Sequence, residues 1–137
     1  MKLLLVEDDD SLRQLLQAHF TTTKCEVEVD FAPGGKEGFD LFYESKRAGR
    51  PYDAILTDIA MAGIDGYTLA LLVRVLEGTA STVRIAFMTA FGEDMVNQAL
   101  VTKVGAEHVW MKGDVLLTLC AEIEHWLASA QLAPQSV

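Results

Sequence analysis

Five short apolar runs alternate with five segments of helical periodicity along this chain, and that alternation restricts the fold more than any other feature. Leu3 to Val6 is the first run. Ser11 is placed to cap the helix that follows, with Gln14 in the capping-box position, and Leu12, Leu15, Leu16 and Phe20 give it an apolar stripe. Val27, Val29 and Phe31 alternate with polar residues as an edge strand does. Pro33-Gly34-Gly35 turns the chain into a second helix carrying Phe39, Leu41 and Phe42, which Arg50-Pro51 ends. Asp53 to Thr57 reads as the third strand, and Asp65-Gly66 opens a helix with Leu69, Leu72, Val73 and Leu76 on one face. Val83 to Met88 is the fourth strand, with a more polar helix around Asp94 to Val104 after it. Glu107 to Met111 is the fifth, and Asp114 is placed to cap a last helix striped by Leu116, Leu119, Cys120, Ile123 and Leu127.

Strands that alternate with helices, the inner ones apolar throughout, imply an α/β fold with a doubly wound parallel sheet covered on both faces. Right-handed crossovers leave few windings, of which the order 2-1-3-4-5 is a common one. The expected layout is five strands and five helices in one domain over residues 1–130, with a flexible tail at 131–137.

The formal net charge of −9 is repelled by phosphate backbones and anionic lipid, so neither direct nucleic-acid binding nor membrane binding is expected. No apolar run approaches the roughly 20 residues of a membrane span, and the opening Met1 to Val6 runs straight into four acids, unlike a signal peptide. A cytoplasmic location follows as the expectation. Cys25 and Cys120 lack metal-binding spacing and read as small buried hydrophobes. His19, His108 and His125 share no spacing and read as structural. Trp126, at helical spacing from Ile123, reads as core or as an edge that meets a partner.

In open parallel sheets, ligands bind beyond the C-terminal ends of the strands. The first strand ends in Glu7-Asp8-Asp9-Asp10, the third in Asp58, the fourth in Thr89 and the fifth in Lys112. In the order above these ends share one crevice. Glu7, Asp8 and Asp58 crowded together hold raised pKa values unless a cation sits among them, and oxygen donors of this kind suit magnesium. Lys112 adds a positive charge and Thr89 a hydroxyl donor. Such a set is equipped for attack on a phosphoryl group by the Asp58 carboxylate. Asp9 and Asp10 fit better as the solvated acidic start of a helix.

The sequence resembles the receiver domain of bacterial response regulators along essentially its whole length. The resemblance rests on Leu4-Leu5-Val6-Glu7-Asp8-Asp9, on Tyr52 to Met61 around Asp58, on Asp65-Gly66, on Met88-Thr89-Ala90, and on Gly105-Ala106 leading to Lys112. It implies a flavodoxin-like fold with Asp58 as phosphoacceptor. It implies magnesium, or else manganese, held by Asp8 directly, by Glu7 largely through water, by Asp58, and by the Ala60 carbonyl. Thr89 would be the switch hydroxyl and Lys112 the cation that pairs with phosphate. Three positions depart from the family pattern. Gly113 follows the lysine where the family usually has proline on a cis peptide, so a trans bond is expected. Ala62 replaces a frequent proline. Val109 stands where many members carry the aromatic half of the switch, and its neighbour Trp110 should face the other way.

The expected function is a phosphoacceptor of a two-component system. A histidine kinase or phosphotransfer protein donates to Asp58, and the face around the fourth helix, fifth strand and fifth helix passes the change to a downstream protein, with phosphorylation-dependent dimerisation as a further expectation. Phe91 and Val109 would border that face. With no DNA-binding or catalytic segment following, output by protein contact is expected, or the chain is a piece of a longer regulator. It would catalyse only its own phosphorylation and dephosphorylation. A haloacid-dehalogenase-type phosphohydrolase needs a second aspartate two residues after the nucleophile, where this chain has Ala60. A flavodoxin-like FMN carrier needs a first loop that cradles phosphate, and Glu7 to Asp10 would repel one. The alternative is a receiver that binds its partner without phosphorylation.

Overall fold

The alternation folds as five parallel strands in the order β2-β1-β3-β4-β5 with helices on both faces, in a computed structural model that describes residues 1–22, 26–113 and 116–132. The elements are β1 (Lys2–Val6), α1 (Asp10–Thr22), β2 (Glu28–Ala32), α2 (Gly35–Arg47), β3 (Ala54–Asp58), α3 (Gly66–Glu77), β4 (Arg84–Thr89), α4 (Gln98–Val104), β5 (Ala106–Met111) and α5 (Leu116–Leu132). The expected strand order is the one found. Cys25, the Asp114 cap and the tail from residue 133 lie outside the described residues, and α5 runs two residues past the expected boundary at 130.

Strand side chains alternate between two cores, as a period of two requires. Leu3, Leu5, Ala54, Leu56, Ala86, Met88 and Trp110 face α1 and α5, where Leu16, Phe20, Leu119, Cys120, Ile123, Trp126 and Leu127 meet them. Leu4, Val6, Ile55, Ile85 and Phe87 face the opposite way, onto Phe42, Leu69, Ala70, Val73 and Val104. Val109 packs on this second core while Trp110 is buried in the first, as alternation predicts. Among the described residues no helix is long and apolar enough to cross a membrane, and no peptide bond is cis, that after Lys112 included.

Three helices differ in detail from the reading of their patterns. Helix α1 starts at Asp10, and the Asp9 side chain accepts the Leu12 amide at 3.1 Å, so Asp9 takes the capping role expected of Ser11. Its Leu15 is exposed while Leu16 and Phe20 are buried. In α3 the buried stripe is Leu69, Ala70 and Val73, and Leu72 and Leu76 stay partly in solvent. The fourth helical segment splits. A 3-10 turn at Glu93–Met95 precedes α4, which Asn97 caps by accepting the Leu100 amide. A helix of seven residues has few turns to sustain itself and relies on its neighbours.

The start of α3 is the tightest junction near the strand ends. The Gly66 N–H donates to the Ile59 carbonyl at 2.8 Å, and a Cβ at this position would lie 2.2 Å from the Asp58 carbonyl oxygen. Gly66→Ala is expected to lower the unfolding free energy by about 2 kcal/mol through this overlap, read as a lower urea midpoint at unchanged slope. On the far side of the sheet, Arg84 of β4 pairs with Glu107 of β5 and holds the Glu107 carboxyl below the usual carboxylate range against its partial burial. A depressed folded-state pKa adds stability above the unfolded value of about 4.3 that is lost as pH falls through the folded one. Glu107→Gln is therefore expected to flatten the acid limb of the stability–pH curve, leaving the slope above pH 6 as it was.

Candidate functional site

The sheet ladder continues for one residue past several strand ends, and this fixes the backbones that carry the polar side chains. Glu7 N–H donates to Ala32 O at 3.0 Å, Ile59 N–H to Met88 O at 2.9 Å, and Lys112 N–H to Thr89 O at 2.8 Å. Register pairs Asp58 with Met88 and Thr89 with Met111, so the ends of β3, β4 and β5 are flush. Glu7, Asp58 and Thr89 are buried there and Asp8 is exposed.

Carboxylate oxygens of Glu7, Asp8 and Asp58 lie within 4.8 Å of one another, as the sequence reading expected. Lys112 reaches into the cluster from beyond β5, its Nζ 2.7 Å from Asp58 Oδ2 and 2.6 Å from Glu7 Oε1. Burial pushes the Glu7 carboxyl up to about 7, against the pull of Lys112 and of the Asp9 amide at 3.1 Å; the charge of Asp58 pushes the same way as burial. Burial also works against the Lys112 ammonium, but Asp58 and Glu7 together carry its pKa above the ordinary lysine value. Lys112 thus offsets part of the cost of crowding these acids, and Glu7 keeps a raised pKa beside it.

Thr89 Oγ1 accepts the Phe91 amide at 3.1 Å, the one side-chain hydrogen bond described for it. Ala60 lies two residues past Asp58 on the exposed loop. The donor set fits a small hard cation: three acidic side chains converge from two strand ends, and oxygen is the donor such cations take.

Two residues that the sequence reading passed over also support the site. Arg13 in the first turn of α1 donates from Nη1 to the Glu7 carbonyl at 2.9 Å and pairs with Asp10. A cation in the first turn of a helix runs against the helix dipole, and that misplacement was the available signal. Thr57, fully buried, donates to the Asp58 carbonyl at 2.9 Å; a threonine in a strand gives no such signal.

The model of the response regulator receiver domain family matches residues 3–123. A transcriptional regulatory protein of Bacillus subtilis, YclJ, itself uncharacterised, is 31% identical over 90% of this chain, and this chain spans 49% of that protein's length. Among solved structures, the receiver domain of the Saccharomyces cerevisiae response regulator Ssk1, crystallised with the histidine phosphotransfer protein Ypd1, is similar with a TM-score of 0.75 and 20% identity. The match covers 94% of this chain and 90% of that one. The receiver domain of the Arabidopsis thaliana histidine kinase CKI1, crystallised with Mg2+ and BeF3−, is similar with a TM-score of 0.71 and 18% identity over 91% and 89% of the two chains. At these identities the two structures support the fold.

Removing the central cation leaves two buried carboxylates facing each other. Lys112→Ala is expected to cost about 3 kcal/mol of stability in metal-free buffer, and Glu7→Gln in the same chain to recover part of it. Urea unfolding of the two variants checks both.

Proposed function

The chain belongs to the family of response regulator receiver domains, and from that premise we propose that it accepts a phosphoryl group on Asp58 from a phosphohistidine donor and relays the change by protein contact. The observation that carries this reading is the meeting of Asp58, Glu7 and Lys112, with Lys112 Nζ within 2.7 Å of Asp58 and 2.6 Å of Glu7.

The Asp58 carboxylate attacks phosphorus and the phosphorus–nitrogen bond of the donor breaks, leaving an acyl phosphate on Asp58 and a free histidine. Lys112 neutralises Asp58 beforehand and stays paired with the charge as it spreads onto the phosphoryl oxygens. Thr89, whose hydroxyl now accepts from Phe91, has its proton free to donate to one of those oxygens. Arg13 holds the Glu7 backbone carbonyl and the Asp9 amide holds the Glu7 carboxylate. Glu7, Asp8, Asp58 and the Ala60 carbonyl would hold magnesium, with manganese the alternative, and the ion would neutralise the transferring oxygens.

The chain turns over no external substrate in this reading. A histidine kinase or phosphotransfer protein is the donor, and a protein partner is the target. The surface charge of −9 argues against direct contact with nucleic acid. One observation favours the second reading, in which a partner binds without phosphorylation: Lys112 already pairs with both buried carboxylates without a divalent ion.

Intact-mass spectrometry after incubation with acetyl phosphate and magnesium separates the two. One added phosphate, absent in Asp58→Asn, is expected. Failure to gain it from acetyl phosphate or from any phosphohistidine donor, with partner binding intact, would establish the second reading instead.

A further inference from the structure

Helix α4 is fastened at both ends by side chains of α3. At its start, the Asn97 N–H donates to Tyr67 Oη at 2.8 Å. At its end, Arg74 Nε donates to the Val104 carbonyl at 2.7 Å, while Nη1 of the same guanidinium reaches Ser81 Oγ and the Val83 carbonyl, both at 2.7 Å. The Arg74 end is a fixed point, tied into the approach to β4. The Tyr67 end is a single bond to the residue that caps α4.

Tyr67 also lies in the first turn of α3, next to the end of the phosphoacceptor strand. It follows Gly66, which sits against the Asp58 and Ile59 backbone. Its ring packs edge-on against Phe87 of β4, centroids 5.4 Å apart. Phe87 is the register partner of Val109, the position where the family's aromatic is missing. The aromatic ring that packs on Phe87 here therefore comes from α3.

The loop from Thr89 to Asn97 has a hydrogen-bonded anchor near each end. Near the first, the Phe91 amide holds Thr89 Oγ1 at 3.1 Å; at the second, the Asn97 amide holds Tyr67 Oη. A Thr89 hydroxyl that moves to a phosphoryl group on Asp58 draws the Phe91 amide with it. The same stretch of backbone joins the two anchors.

We propose that Tyr67 is the latch of this receiver: its hydroxyl holds α4 in the resting position, and phosphorylation of Asp58 releases that bond and lets α4 move about its Arg74 end. The inference rests on the phosphoacceptor reading above and adds the residue that carries the signal onward in place of an aromatic at 109. Tyr67 is a positioning residue, acting on α4 and not on the phosphoryl group.

Tyr67→Phe keeps the ring against Phe87 and removes only the acceptor oxygen. Amide hydrogen exchange across residues 97–104 reads the latch, with intact mass recording phosphate on the same samples. In the resting protein the variant is expected to exchange roughly three- to tenfold faster there than the parent, as loss of one hydrogen bond allows. The parent is expected to reach the same rate once phosphorylated by acetyl phosphate with magnesium, and the phosphorylated variant to show no further increase. Unchanged exchange in resting Tyr67→Phe overturns the latch, and so does a phosphorylation response in the variant as large as in the parent. Absence of added mass in both chains brings down the phosphoacceptor reading, and the latch with it. Tyr67→Leu, which also removes the ring, is expected to loosen α4 at least as much. Parent-like α4 exchange in that variant would equally overturn the proposal.

Discussion

The Lys112 ammonium lies between two carboxylates that burial disfavours as ions, and the strand order is what puts it there. Glu7 follows β1 and Asp58 ends its neighbour β3, the central strand, so the two acids are adjacent once those strands pair. Lys112 follows β5, two strands from β3 and three from β1, and needs its long stem to reach them. Every crossover in a parallel sheet returns the chain to the same end, which collects the strand termini along one edge. Both sheet faces are covered by apolar packing, so that edge is where polar side chains can be buried with partners. The site is a consequence of the winding, and its charge pairing adds to the stability of that winding.

The parts of the fold that could be read from the sequence are those set by periodicity. Alternation assigned Val109 and Trp110 to opposite faces, and the two cores hold them so. What periodicity could not fix is the phase of a helix whose residues are apolar nearly all round. In α3 the outward residues Leu72, Val75 and Leu76 are as apolar as the inward ones, so composition does not say which side faces the sheet. The capping error at α1 has a similar origin. Asp9, Asp10 and Ser11 are all good caps, and the choice among them is made by where the Glu7 side chain draws the Asp9 amide.

At the site, the residues whose chemistry is unusual for their surroundings were legible. An acid at each of two strand ends and a lysine after a third have no better explanation than one another. Thr57 and Arg13 act through backbone carbonyls, and a bond to a backbone leaves little mark on the sequence of the partner. The aromatic contact between Tyr67 and Phe87 was illegible for a further reason. It joins the first turn of α3 to a strand twenty residues on, and only the packing of α3 across β4 brings them together.

The energetic scale of these contacts limits what the chain can signal. Among the described helices α4 is the shortest, so it stands close to the low-stability end from which moving elements are drawn. A single hydrogen bond contributes about 1 kcal/mol net, enough to change the balance of two α4 positions about fivefold. Moving an equilibrium from 1:99 to 99:1 takes about 5.5 kcal/mol of differential binding. One hydroxyl latch therefore sets a bias and leaves both positions populated, and a partner that prefers one of them must supply the remainder. On this account, phosphorylation makes α4 easier for a partner to displace, and the decisive state forms only when that partner is bound.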